Sequence, residues 1–289
     1  MLIGAHVSSS GGIDTAVDRI EKLRCRAVQI FTQSPRAWRP TSHSAEALER
    51  FRTRRREAGI ESVVCHAIYL INLASPDRAL YRKSVTALEQ TVDVAVAIAA
   101  DAVILHVGSH LGAGLAAALD RVTAALRAGL DRCSGPTHIL LENSAGAGGT
   151  IGRSIEELDT IDAALDRPKR LGLCLDSCHL WVSGTDVTNP AVMDELLAEV
   201  ERRFGLERLR CLHVNDASAE RGSNRDRHAN LLGGHMGAGL GAFLAHPALQ
   251  HLPAILETPG AARRGPDADE VRKLRDLHAA AAGDTRLAK

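Results

Sequence analysis

Eight short apolar runs, each followed by a stretch of helical periodicity, constrain the fold of this chain more than any other feature of its sequence. They are Leu2–Val7, Ala27–Thr32, Ser62–His66, Ala102–Val107, His138–Asn143, Leu171–Asp176, Leu209–Asn215 and Ala254–Thr258. The runs recur at intervals of roughly 25 to 45 residues and lack clean polar alternation, the pattern of parallel strands buried on both faces. The segments between them carry helix signals. Ser75-Pro76-Asp77 opens a helical stretch reaching to about Ala100, Ser154 with Glu157 fits a capping box, and Asn189-Pro190 places proline at a first helical turn. Strand–helix alternation eight times within 289 residues predicts an α/β fold, the (β/α)8 TIM barrel. No Pro/Gly/Ser-rich linker divides the chain, so residues 1–289 are expected to form a single domain, with a flexible tail from about residue 283.

The polar residues that close these runs carry the chemistry. His6, His66, His106, Glu142, Asp176, His213 and Glu257 all lie at or near the C-terminal end of a run. In a β/α barrel those ends meet at one face, where active sites are built. A lone histidine or carboxylate there is usually a hydrogen-bonded structural group. Several on one rim are harder to explain so simply, because each buried carboxylate needs a cation or donors. Two close pairs add to the set, Asp176 with His179 and Asp226 with His228. The candidates are then five imidazoles (His66, His106, His179, His213, His228) and four carboxylates (Glu142, Asp176, Asp226, Glu257). Nine ligands exceed the needs of one metal, and mixed His/carboxylate ligation suits Zn, Mn or Fe over Mg or Ca. A cluster of two or three cations is the outcome, and three divalent ions against four carboxylates would leave the pocket positive, ready for an anion such as a phosphoester.

Composition narrows the partners and the compartment. Lys and Arg number 35 against 35 Asp and Glu, so a polybasic nucleic-acid binder is excluded and any such affinity must be local. The arginine run Arg50–Arg56 reads as a solvated helix face, with a DNA-facing role as the lesser alternative. Six cysteines without a CxxC pair suggest a reducing compartment. The first residues lack the pattern of a signal peptide, and no apolar stretch is long enough to span a membrane. A cytoplasmic protein that does not bind membranes is expected.

Nine segments, in order, resemble one known family: GAHVSSSGG (4–12), FTQSPRAW (31–38), HAIYLINL (66–73), HVGSHLG (106–112), LLENSAGAGGTIG (140–152), LCLDSCH (173–179), CLHVNDA (211–217), NRDRH (224–228) and ILETPG (255–260). Together they resemble endonuclease IV, the zinc-dependent apurinic/apyrimidinic (AP) endonucleases of base-excision repair. The resemblance implies a TIM barrel with three zinc ions, manganese being acceptable at one or more sites. It assigns His66, His106 and a bridging Glu142 to the first ion. Glu142, Asp176, His213 and Glu257 fall to the second, and His179, Asp226 and His228 to the third. It implies cleavage of duplex DNA 5′ to an abasic site, leaving a 3′-hydroxyl and a 5′-deoxyribose phosphate, together with trimming of blocked 3′ ends. Glu142 and Glu257 would be the catalytic carboxylates, the second orienting or deprotonating the attacking water.

By the same resemblance, Arg36, Tyr69 and Leu70 fill the stack where the base is missing. Phosphate contacts would come from the Ser8–Gly12 and Ala145–Gly149 loops and from Arg225 and Arg227. The protein would act as a monomer on nucleoid DNA. His6 and His110 fall outside the implied ligand set, and Trp38 supports the Arg36 loop. The chain departs from the family pattern at Ala67-Ile68, at Val107 and at Leu231-Leu232-Gly233-Gly234, where members more often carry Pro at the second and a Gly–acidic–Gly turn at the third. A sugar isomerase or epimerase on the same barrel and a non-catalytic binder of damaged DNA are the alternatives.

Overall fold

Each of the eight apolar runs forms a strand: β1 (Leu2–His6), β2 (Ala27–Phe31), β3 (Ser62–His66), β4 (Ala102–Leu105), β5 (His138–Glu142), β6 (Leu171–Asp176), β7 (Leu209–Val214) and β8 (Pro253–Leu256). Neighbours in sequence pair in parallel, and β8 returns to β1 from Leu2↔Pro253 to Ala5↔Leu256, closing the barrel. The computed structural model describes residues 1–283; the tail expected to be flexible lies, from residue 284 on, outside them. Among the described residues, no helix is long and apolar enough to cross a membrane. All six cysteines are unpaired, and five are buried.

Inside the barrel, Ala27, Val64, Ala102, Ile104, Leu140, Cys174, Cys211 and Ile255 form their own buried cluster. Alternate strand residues such as Val63, Val103, Leu141 and Leu173 face outward into the larger core beneath the helices. The strands run close enough that two positions exclude a side chain. A Cβ at Gly4 would lie 2.6 Å from the Ala27 carbonyl oxygen, and one at Gly172 would lie 2.5 Å from that of Arg208.

The helix signals resolve with small shifts. Asp77, not Ser75, caps the helix Arg78–Ala97, accepting from the Ala79 and Leu80 amides. Ser154 caps Ile155–Ala164 through the Glu157 amide, but the Glu157 carboxylate turns to the amides of Gly152 and Arg153 and so fastens the preceding loop. The arginine-rich segment is the helix Ala45–Glu57. Arg52 and Arg55 donate to the carbonyls of Ala97 and Ala99, at the end of a neighbouring helix, and Arg54 pairs with Asp18. This run fastens one helix to its neighbours.

Candidate metal centre

Six of the candidate residues reach the barrel mouth from strand ends. His66, Glu142 and Asp176 terminate β3, β5 and β6, His213 is the penultimate residue of β7, and His106 and Glu257 directly follow β4 and β8. His179 is added by the short helix Ser177–Ser183, Asp226 by the long connection after β7, and His228 by a two-residue strand in that connection, paired antiparallel with Asp216–Ala217. Glu142 sits at the centre. Its Oε2 lies 3.2 Å from His66 Nε2 and 3.4 Å from His106 Nε2; its Oε1 lies 2.9 Å from His213 Nδ1 and 3.2 Å from His179 Nδ1. On the far side, Asp226 is 3.4 Å from His179 Nε2 and 3.3 Å from His228 Nε2.

Three sets of atoms converge closely enough to hold an ion each: His66/His106/Glu142, Glu142/Asp176/His213/Glu257 and His179/Asp226/His228, with all ligand atoms of a set within 4.8 Å of one another. Cys174 and Cys178 also approach this region. Burial pushes both thiols upward, so they stay protonated and are poor ligands.

The residues fit cations on internal evidence. His66 Nδ1 is 2.6 Å from the Ala67 carbonyl, which can only accept, so in the neutral ring Nε2 turns a lone pair toward Glu142. His179 repeats this, with Nδ1 3.0 Å from the Asn143 carbonyl and Nε2 facing Asp226. Lone pair facing carboxylate needs a proton or a cation between them. Among the described residues, buried His228 Nε2 makes no aligned hydrogen bond, although Asp226 Oδ1 lies 3.3 Å away.

The electrostatics agree. Burial alone would raise the Glu142 carboxyl, yet His106 and His213 hold it well below its usual range. Burial also opposes ionisation of Glu257, but His213 brings it to about 2. Burial lowers His106 to about 4. For His179 and His213 burial acts downward too, but Asp176 and Glu257 respectively, with Glu142, keep both well above the ordinary imidazole value. The pocket concentrates carboxylates and holds positive charge tightly.

Three further residues shape the site and escaped the sequence reading. Asn215 donates to Asp176 Oδ2 at 2.7 Å and to Glu257 Oε2 at 3.3 Å, and its Oδ1 accepts from the Glu257 amide. Asn143 Oδ1 accepts from the Asp176 amide. Asp216 is fully buried and accepts from the amides of Ala217, Gly234, Met236 and Gly237. It thereby folds the divergent Leu231–Gly234 turn beneath the loop carrying Asp226 and His228. A Cβ at Gly234 would come 2.5 Å from Asp216 Oδ1, so that glycine is required, whereas Leu232 adopts a positive φ of 66° in the open. Both asparagines and the aspartate stand in quoted motifs, but only the folded contacts reveal what they hold.

The expected DNA-facing residues occupy the same mouth. Tyr69 is 60% exposed and sets its ring edge-on against Phe31, 5.7 Å from the His66 ring. Leu70 is half-buried against the core, so of the pair only Tyr69 stands clear. Arg36, Arg225 and Arg227 are exposed, and Trp38 packs on the core behind Arg36. His110 lies apart from the cluster, its Nδ1 accepting from the Gly112 and Gly114 amides. Beside the cluster opens a cavity of about 790 Å³, lined by His6, Ser9, Gly11, Phe31, Tyr69 and Glu257 among others.

Comparison with known proteins places these observations in a lineage. The family model described as xylose isomerase-like TIM barrel matches residues 17–278. A probable endonuclease 4 of Halothermothrix orenii is 36% identical, over 95% of this chain and 99% of its own length. One from Methanoculleus marisnigri is 37% identical, over 96% and 99%. The crystal structure of endonuclease IV from Thermus thermophilus superposes with a TM-score of 0.84 at 34% identity, covering 96% of this chain and 98% of that one. A D-tagatose 3-epimerase-like protein, 18% identical with a TM-score of 0.72 over 98% and 99%, shares the fold alone.

Proposed function

Because the chain belongs to the endonuclease IV family of xylose isomerase-like TIM barrels, we propose that it is a DNA-repair endonuclease, a metal-dependent phosphodiester hydrolase acting on abasic sites. It cuts the duplex 5′ to the lesion, leaving a 3′-hydroxyl and a 5′-deoxyribose phosphate, and trims blocked 3′ ends. The observation that carries this reading is the triple convergence of His and carboxylate atoms around Glu142 at the barrel mouth. His179, Asp226 and His228 exceed what a one- or two-metal sugar isomerase needs.

His66, His106 and Glu142 would hold the first ion, Glu142, Asp176, His213 and Glu257 the second, and His179, Asp226 and His228 the third. Zinc suits this donor set, with manganese acceptable at one or more sites. Bound there, such cations supply Lewis-acid polarisation of the phosphoryl oxygens and acidify water at neutral pH.

The side chains do the rest. Glu142 neutralises charge between the first two sets, where four imidazoles surround it. Glu257 lines the cavity and orients the attacking water or takes its proton. Tyr69, Leu70 and Arg36 support the bent duplex where a base is missing, since the missing base lowers the cost of unstacking and bending. Arg225 and Arg227 flank Asp226 and meet backbone phosphates near the third set. The reading includes a cytoplasmic, nucleoid-associated monomer.

The test is nicking of matched abasic and intact duplexes by protein of measured metal content. About three ions per chain and cleavage confined to the abasic duplex are expected. Full activity with a single ion, or no nicking by metal-replete protein, overturns the reading.

A further inference from the structure

Gln29 is a polar residue in the middle of the apolar strand β2, fully buried. It pairs in register with His6 on β1. Its side-chain amide meets three groups of the barrel mouth. Nε2 lies 2.6 Å from Glu257 Oε1 and 3.0 Å from His6 Nδ1, and Oε1 lies 2.8 Å from His213 Nε2.

With both rings neutral, the form in which an imidazole binds a cation, only one arrangement of hydrogens satisfies all three contacts. An ionised carboxylate can only accept, so the NH2 end of the amide must face Glu257, and its oxygen must face His213. That oxygen also only accepts, so His213 Nε2 carries the proton. His213 Nδ1, 2.9 Å from Glu142 and 3.3 Å from Glu257 Oε2, is then the nitrogen with a free lone pair. The second amide hydrogen goes to His6 Nδ1, which leaves the His6 proton on Nε2. Reversing the amide would set oxygen against carboxylate and favour a proton on His213 Nδ1, where it would block a cation.

We propose that Gln29 is a positioning residue of the metal centre: it sets the tautomer of His213, and it clamps Glu257 and His6 against that ring. It occupies the place that a carboxylate or carbonyl partner usually takes behind a metal-binding histidine. The inference rests on the metal-dependent reading above. It also gives His6 a task, as the outer support of this clamp.

The experiment compares Gln29→Met with the unaltered holoprotein. Methionine keeps the approximate length and loses both the donor and the acceptor. Zinc release to a chromophoric chelator should show one ion per chain leaving at roughly ten- to a hundredfold lower chelator concentration. On an abasic duplex, kcat should fall while KM stays near the original value. Wild-type zinc retention and kcat in folded Gln29→Met overturn the proposal. So does a lower melting temperature of the metal-free protein with zinc release unchanged, which would make Gln29 a packing residue only. If Gln29→Met does not fold, Gln29→Glu is read in the same assays. Its carboxyl still accepts from His213, but it offers at most one hydrogen where the amide offers two, so Glu257 and His6 cannot both be held; all three ions should stay and kcat should fall, and unchanged kcat overturns the clamp. Failure of the unaltered protein to hold zinc would instead sink the metal-dependent reading itself, a result distinct from any of these.

Discussion

A carboxylate buried as deeply as Glu142, with imidazole nitrogens on four sides within 3.4 Å, has no substitute among neutral groups. Glu142→Gln removes the anion shared by two of the three sets. It should cost about a hundredfold or more in activity and in retention of two ions. His110→Ala should leave metal content unchanged, because the His110 side chain hydrogen-bonds the amides of Gly112 and Gly114 and lies outside the three ligand sets. Elemental analysis of the two variants side by side decides this; equal metal loss would mean that Glu142 is not the shared ligand. Asp216 makes a different prediction. Removing its carboxylate strands four backbone amides beneath the Asp226/His228 loop, so Asp216→Ala should destabilise the metal-free protein by roughly 2–4 kcal/mol. Urea unfolding measures it, and a loss under about 0.5 kcal/mol, the level of an ordinary surface substitution, would show that the loop finds other partners. The difference between these residues is instructive. Glu142 could be singled out from its place at the end of an apolar run, while Asp216 looks like any loop aspartate until the chain folds over it.

Helices and loops divide the arginines into two kinds. Four of the five in Ala45–Glu57 are engaged with carbonyls and carboxylates of neighbouring segments: Arg50 on Asp14, Arg52 on Ala97, Arg54 on Asp18 and Arg55 on Ala99. Arg52→Ala and Arg55→Ala should each cost roughly 1 kcal/mol of stability, the net worth of a part-exposed hydrogen bond, and leave DNA affinity unaltered. A weaker DNA complex in either variant would assign this helix to the interface after all. Arg36, on the loop after β2, is exposed, and Tyr69, after β3, leans on Phe31 at the cavity. Arg36→Ala and Tyr69→Ala should each slow cleavage of an abasic duplex about tenfold or more, within the 1–3 kcal/mol attributed to stacking on a base, without changing metal content. Loss of metal in either one would make that side chain a support of the cluster. Sequence periodicity located both helix and loops, but charge alone did not tell a fastening arginine from a free one. The distinction depends on which carbonyls come within reach, and those belong to segments some 45 residues away.

The zero formal net charge of the whole chain makes its DNA binding depend on where charge is placed. On the proposed function, part of the neutralisation of DNA phosphates should come from the metal centre, and only an abasic site is expected to bring a phosphate into it. Chelation should therefore weaken binding to an abasic duplex more than binding to an intact one. Paired titrations at fixed salt, on protein shown to remain folded without metal, test this. Equal losses for the two duplexes would confine the metals to catalysis or folding. The barrel was legible in advance because its cause is periodic: eight apolar runs bury both faces of a parallel sheet, and the residues ending them must meet at one rim. The family's motifs marked six of these and added His179, Asp226 and His228. Tertiary contacts alone decided the rest. That Gln29 lies behind His213 and Glu257, that Asn215 joins Asp176 to Glu257, and that Asp216 gathers the 234–237 turn all require partners far apart in sequence. A buried amide or carboxylate is defined by its partners, and periodicity says that a residue is inside without saying what it will touch.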